Sequence, residues 1–365
     1  MRFSIKLSNV LFCWIIFTAL VFPGQHAAAK GPRTLEVHSV FPKGLIFLNE
    51  SLHHLSTVVE TLSQGKLKLY FRGVNEVVSG DELFHAVKTG KIDAAWSWTG
   101  YNCDKIPVCE LIASMPFGLK AEYSMLWMWN GGGLEILQKG FDNHNIIVMP
   151  THIVISEAAG WYQKEINTIA DFKGLRIRIA GIGGEVLSHF GAIPSMIPVE
   201  KIFNAIASGQ LDALEFTIPD VDQSFGFEKF ARYYYFPGWH QPSSWNALMI
   251  NKKIWNTLSE HERNILTYAA RINSSWSLAM SYQRQMSALE MFKSQGVEIR
   301  RFSDDILNQL LQVSRKSLKK KSAANALLKQ AHQSQVNFMK TVKCWNNLQQ
   351  APSQFVMPGD CGNKK

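Results

Sequence analysis

The hydrophobic and polar pattern predicts strands alternating with helices. Thr34 to Val40 reads as an extended segment, a helical spacing follows near Asn49 to Leu62, and Gly65 then opens a strand at Leu67 to Phe71. A second series begins with the extended stretch Ile153 to Tyr162. It continues with a strand at Leu175 to Ile179, a glycine turn, and a helix from Glu185 to Phe190. Residues 83–94, running from Leu83 through Gly90 to the pair Asp93-Ala94, recur in character at 202–213, from Ile202 through Gly209 to Asp212-Ala213. Each copy reads as a helix stopped by a glycine, followed by a strand.

From Ser259 to Gln295 there is no proline or glycine, and apolar residues recur at helical spacing. Ser259 and Glu262 form a capping box at its start, and Gly296 ends it. At 1.5 Å per residue the helix would run about 55 Å, longer than one lobe, so it is expected to span two. Two helices kinked near Asn273 to Ser275 is the alternative. Together these elements predict an α/β chain of two lobes, each with one open sheet, joined by crossing segments near Ile155 and Ser244. The boundaries expected are 30–155 with 244–283 for the first lobe, and 156–243 with 284–343 for the second.

The N-terminus changes the picture of where the protein works. Arg2 and Lys6 precede an apolar run from Val10 to Phe22, then Pro23-Gly24 and Ala27-Ala28-Ala29, the order of a secretory signal with cleavage after Ala29. The run is shorter than the roughly 20 residues a membrane anchor needs. Cys13 would leave with this leader. The remaining cysteines fall into neighbouring pairs, Cys103 with Cys109 and Cys344 with Cys361, which in an exported chain predicts two disulfides, the second pinning a tail over 344–365. Their spacing does not suit zinc.

The formal charge is +9, or +7 without Arg2 and Lys6. The densest basic run, Arg315 to Lys321, lacks interleaved aromatic residues and follows a helical pattern, so it reads as a solvated helix face and no nucleic-acid partner is expected. Nucleotide and hydrolase motifs are missing too. Gly181-Ile182-Gly183-Gly184 has Val186 where a dinucleotide loop needs its last glycine, and reads instead as a close backbone approach to a small anion. No organic cofactor is expected.

Ligands of open α/β sheets lie beyond the carboxyl ends of the strands. There, Arg178 ends its strand and offers two parallel donors that match a carboxylate. Glu157 and Glu215 follow apolar runs toward the same cleft, and two buried carboxylates call for a cation or a proton. A bound sodium or calcium ion is one reading. In the other, Glu157 faces solvent and Glu215 pairs with Arg178. Trp98, Tyr101 and Phe216 follow the strand ends as candidate walls of the site, with Asn102 beside Tyr101 as a further candidate contact.

Three segments carry a family resemblance: residues 114–119, residues 171–178 with the glycine turn after them, and Tyr233 to Trp239. With them the chain resembles the solute-binding component of tripartite ATP-independent periplasmic (TRAP) transporters, in the branch that binds 2-oxo or 2-hydroxy acids. The resemblance implies a periplasmic receptor, not an enzyme, that captures a small carboxylate on Arg178 and delivers it to membrane permease subunits. It also implies a cation held by Glu157, Glu215 and Phe216, with glutamine expected at position 157 and tryptophan at 216. The further acid expected downstream is missing from Ser244 to Ala247. A periplasmic lyase or hydrolase using Glu157 and Glu215 around a metal is a rival, as is a ligand-sensing subunit, and a homodimer stays open.

Overall fold

The computed structural model describes residues 31–197 and 201–351. The expected leader and Cys361 lie outside the described residues.

The chain opens with β1 (Arg33–Ser39), α1 (Ile46–Leu62) and β2 (Leu67–Arg72), then α2 (Leu83–Thr89) and β3 (Ala94–Trp98). The helices α3 (Val108–Ala113), α4 (Ala121–Asn130) and α5 (Gly133–Phe141) lead to β4 (Ile146–Val154). A second series follows: β5 (Gly160–Tyr162), β6 (Arg176–Arg178), α6 (Gly181–His189), β7 (Ile193–Ser195), α7 (Ile202–Ala207), β8 (Ala213–Leu214), α8 (Pro219–Asp222) and β9 (Tyr233–Phe236). The chain then returns through β10 (Ser244–Asn251) and α9 (Lys252–Thr257) to α10 (Glu260–Ser294), β11 (Glu298–Arg301), α11 (Asp304–Ala324) and α12 (Ala326–Gln349).

Two sheets result. The first has the order β2-β1-β3-β10-β4, parallel from β2 to β3, with β10 inserted antiparallel between β3 and β4. The second has the order β11-β9-β5-β8-β6-β7, with β5 antiparallel to both of its neighbours. Consecutive residues of the second sheet go to opposite faces, as strand geometry requires. Trp161, Leu214 and Tyr234 join a cluster with Phe292 of α10, whereas Tyr162, Ala213 and Tyr235 join one with Phe302, Ile306 and Leu310. The sheet is thereby buried on both sides.

The repeated unit folds as the repeat predicts. Gly90 and Gly209 both take positive φ after their helices, and β3 and β8 both start at the alanine that follows the aspartate. The α10 helix is continuous, with the Ser259–Glu262 capping box in place, and it touches β4 and α1 on one side and α8 and β11 on the other. The helix is not divided into two at Asn273 to Ser275, where the polar side chains find partners of their own. Asn273 Nδ2 donates to Ser51 Oγ and to the Thr151 carbonyl, and Ser274 Oγ donates back to the Ala270 carbonyl.

Three expectations differ from what is observed. The Cys103 and Cys109 thiols are not bonded to each other, and Cys344 is also free. Cys109 sits fully buried among apolar side chains of the first core, where burial, with the neighbouring Glu110 charge adding to it, pushes its thiol far up. The α6 helix begins at Gly181, so the glycine run is its first turn and not a loop before it. The reason is packing: a Cβ at Gly183 would lie 2.8 Å from the His240 Cβ, and one at Gly181 would lie 2.1 Å from Ser114 Oγ. Finally, α12 lies on α3, α4 and α5, and Leu328 and Ala331 enter the core of the first sheet, whereas the second lobe was expected to extend to 343.

Candidate functional site

Four chain segments converge between the sheets. The link from β4 to β5 carries Glu157, the end of β6 carries Arg178, the exit of β8 carries Glu215 and Phe216, and the link from β9 to β10 carries His240 and Gln241. Backbone hydrogen bonds register them: Glu215 N–H donates to the Arg178 carbonyl at 2.8 Å, Ala158 N–H to Thr217 at 3.2 Å, and Glu157 N–H to Gln241 at 3.3 Å. Gly238 makes this approach possible, since a Cβ there would fall 2.0 Å from the Glu157 carbonyl oxygen.

The two arginines of β6 share a face but have different partners. Arg176, at the exposed end, grips Asp212 through Nε at 2.8 Å and Nη2 at 2.6 Å. Arg178 is 3 % exposed, and its Nη1 reaches Glu215 Oε2 at 3.2 Å as well as the Glu215 carbonyl. The Phe216 ring lies 5.3 Å from the Arg178 guanidinium carbon. The pairing of Glu215 with Arg178 is therefore present. Glu157, by contrast, is buried, and its Oε1 accepts from Gln241 Nε2 at 2.5 Å.

A cavity of about 50 Å³ opens onto these groups. Trp98, Tyr101, Glu157, Arg178, Glu215 and Phe216 all line it. Trp98 and Tyr101 meet edge to face at 5.1 Å, and Trp98 Nε1 donates to Ser244 Oγ. Asn102 does not line it: the 3₁₀ turn over Thr99–Asn102 carries this side chain away, and its amide faces the Met249 sulfur at 3.7 Å beside a separate cavity.

Two lining or neighbouring groups escaped the sequence reading. Gln241 stands in the wall, and behind it His240 is fully buried, with Nε2 3.3 Å from Glu215 Oε1 and 3.6 Å from Glu157 Oε2. The signal available was position: both residues directly follow Pro237-Gly238-Trp239. Burial favours neutral forms, but opposite charges outweigh it for two members of the cluster. Glu215, which burial alone would raise, is held down at about 2 by His240 and Arg178. His240, which burial would lower, is pushed up to about 9 by the two carboxylates. Glu157 rises well above the ordinary carboxylate range through burial, with the Glu215 charge adding to it.

Behind this wall Asp222 Oδ2 accepts from Trp161 Nε1 at 2.9 Å and from Tyr234 Oη at 2.8 Å. Burial nevertheless pushes its carboxyl up to about 7. An acid whose pKa rises on folding stabilises the fold fully below its unfolded pKa, near 4, and that contribution is lost as pH rises through the folded value. Between about pH 4 and pH 7 the protein should therefore lose up to about 4 kcal/mol relative to Asp222→Asn. Urea midpoints of the two proteins across that window measure it, and parallel profiles would contradict the assignment.

The donor set suits a hard or borderline cation. Buried Glu157 Oε2, Gln241 Oε1 and His240 Nε2 have no hydrogen-bond partner among the described residues, and Glu157, Glu215 and His240 place one ligand atom each within 4.8 Å of one another. Phe216 has only its main-chain carbonyl to offer.

Comparison with known proteins agrees with this architecture. The DctP family profile, bacterial extracellular solute-binding protein family 7, matches residues 45–325. A monocarboxylate 2-oxoacid-binding periplasmic protein of Nostoc sp. is 29 % identical over 291 residues, 80 % of each chain. A TRAP periplasmic solute-binding protein from Colwellia psychrerythraea, with bound calcium and pyruvate, superposes with a TM-score of 0.82 at 28 % identity, covering 87 % of this chain and 97 % of that one. One from Pseudoalteromonas atlantica, with bound sodium and pyruvate, gives 0.82 at 27 % identity and the same coverage. No helix among the described residues is long and apolar enough to cross a membrane. The chain thus belongs to family 7 of the bacterial extracellular solute-binding proteins, and it is a periplasmic, non-enzymatic TRAP-transporter receptor for small carboxylates.

Proposed function

We propose that this receptor captures a 2-oxo acid of pyruvate size or somewhat longer, or the matching 2-hydroxy acid, together with a cation, and hands it to the membrane subunits of a TRAP permease. The observation that carries the reading is the buried Arg178 guanidinium on a cavity of about 50 Å³ that also exposes Glu157 and Glu215. A planar fork of donors on a buried side chain binds a carboxylate more strongly than it could in water. Arg178 takes the carboxylate, while Trp98, Tyr101 and Phe216 wall the carbon chain and limit its length.

Glu157, Glu215 and the Phe216 carbonyl are the groups to hold the cation, whose positive charge serves the ligand's oxygens. The crossing segments at 155–159 and 237–243 act as the hinge between lobes, and α10 braces both. Pyruvate, longer 2-oxo acids and lactate, titrated into purified mature protein in sodium and calcium buffers, are expected to give saturable one-to-one heats and a rise in Tm. The absence of any response to all of them would reject the ligand class.

A further inference from the structure

We infer that a second cavity, divided from the carboxylate site by the Tyr101 side chain, is a subsite for the hydrocarbon tail of longer acids, and that Tyr101 is the partition that keeps the ligand short. The inference rests on the proposed capture of a 2-oxo or 2-hydroxy acid and names what sets its length. One cavity, of about 50 Å³, exposes Arg178, Glu157 and Glu215, and the other, of about 380 Å³, adjoins the turn after β3. Among the described residues Tyr101 alone lines both. Its chain neighbours divide between them, Trp98 on the first, Ser97 and Asn102 on the second. Ser97 and Trp98 are consecutive in β3 and so point to opposite faces of the sheet. Tyr101 stands past the strand end, where the two faces meet.

Local structure holds this partition in place. The 3₁₀ turn over Thr99–Asn102 is tied at both ends, since Thr99 Oγ1 donates to the Trp245 carbonyl at 3.0 Å and the Asn102 carbonyl accepts from Ile106 N–H at 2.8 Å. Gly100 lets the Trp98 ring fold back over the turn, because a Cβ there would fall 2.1 Å from a carbon of that ring. Tyr101 then meets the same ring edge to face at 5.1 Å. Behind it, Val40, Leu83, Phe84, Met196 and Met249 give the second cavity a largely apolar wall. Its charged groups balance, with Asp81 and Asp104 against Lys105 and Lys201, and Lys105 is bonded to Asp104 at 2.8 Å. No surplus charge is left to hold a second ionic group. A hydrocarbon tail suits such a wall, and each methylene buried there contributes roughly fourfold in affinity.

The test is calorimetric titration with pyruvate and with 2-oxooctanoate, in buffer containing sodium and calcium. Wild type should prefer pyruvate by at least about 30-fold, and Tyr101→Ala should shift that ratio toward the longer acid by at least about 100-fold. Tyr101→Leu, a milder truncation, should move the ratio the same way by less. Met196 is 45 % exposed, so tryptophan there fills the second cavity without disturbing a core. Alone, Met196→Trp should leave pyruvate affinity unchanged, and combined with Tyr101→Ala it should cancel the gain for 2-oxooctanoate. Equal binding of the two acids by wild type, an unmoved ratio in Tyr101→Ala, or a gain that survives Met196→Trp would overturn the inference. Loss of both acids in Tyr101→Ala would overturn it as well, making Tyr101 a contact of the carboxylate end. If wild type binds pyruvate and the ratio does not move, only the partition is wrong, whereas a wild type that binds neither acid rejects the receptor reading itself.

Discussion

Arg178→Met should lower affinity for pyruvate by at least about 100-fold while the protein stays folded. Charge-assisted hydrogen bonds contribute about 1.5–3 kcal/mol each, and a guanidinium makes two of them to one carboxylate. Losing about 3 kcal/mol or more corresponds to two orders of magnitude in Kd. Folding should survive because Glu215 keeps His240 at 3.3 Å as a neutralising partner. Arg178→Lys restores charge without the fork and should recover only part of the affinity. Calorimetry with pyruvate and circular dichroism on the same samples decide the matter. A Kd within about threefold of wild type would remove Arg178 from the role proposed for it.

The largest effect on stability is expected at Trp161. Its ring is fully buried in β5, stacks on Tyr234 at a centroid distance of 4.0 Å, and meets the edge of Phe292 at 4.8 Å. Truncating so large a side chain costs about 3–5 kcal/mol, because the surrounding groups collapse only partly into the space. Trp161→Phe keeps most of the ring but removes a hydrogen bond to Asp222, at a cost of about 1–3 kcal/mol. The order wild type, Phe, Ala in urea midpoints is the expected result. Since β5 is the middle of the second sheet and begins three residues after Glu157, the alanine variant should also bind the carboxylate more weakly.

Much of this architecture could be read from local rules. The two copies of helix, glycine and strand were visible because a helix that must stop and turn needs a positive-φ residue, and that requirement survives divergence of the flanking residues. Glu157 was legible for a related reason: an acid after a run as apolar as Ile153 to Ile155 has no exposed strand to belong to. His240 and Gln241 were passed over, because their one mark in the sequence is that they follow Pro237-Gly238-Trp239. Their meaning comes from Gly238 and Gly183, which bring the β9-to-β10 link within contact distance of Glu157 and α6.

The start of α6 shows the same limit. Glycine is a poor helix former, so a run of three predicts a turn, yet here the need for close contact with Ser114 and His240 outweighs local propensity. Asn102 was misplaced by a single turn of 3₁₀ helix, which reverses the side chain's direction without any trace in polarity. The cysteine pair, legible only as spacing, remains two thiols.

The insertion of β10 into the first sheet also bears on how the molecule assembles. Strands β3 and β4 have no pairing with each other and meet only through β10, which is made after the entire second series of elements. The first sheet therefore stays split into a three-stranded ribbon and a lone strand until the chain has grown past residue 251. Closing a loop of that length is entropically slow and exposes strand edges in the meantime. Truncated chains ending before β10 should accordingly be captured by chaperones or aggregate, so the binding cleft and the completed sheet become available in one late step.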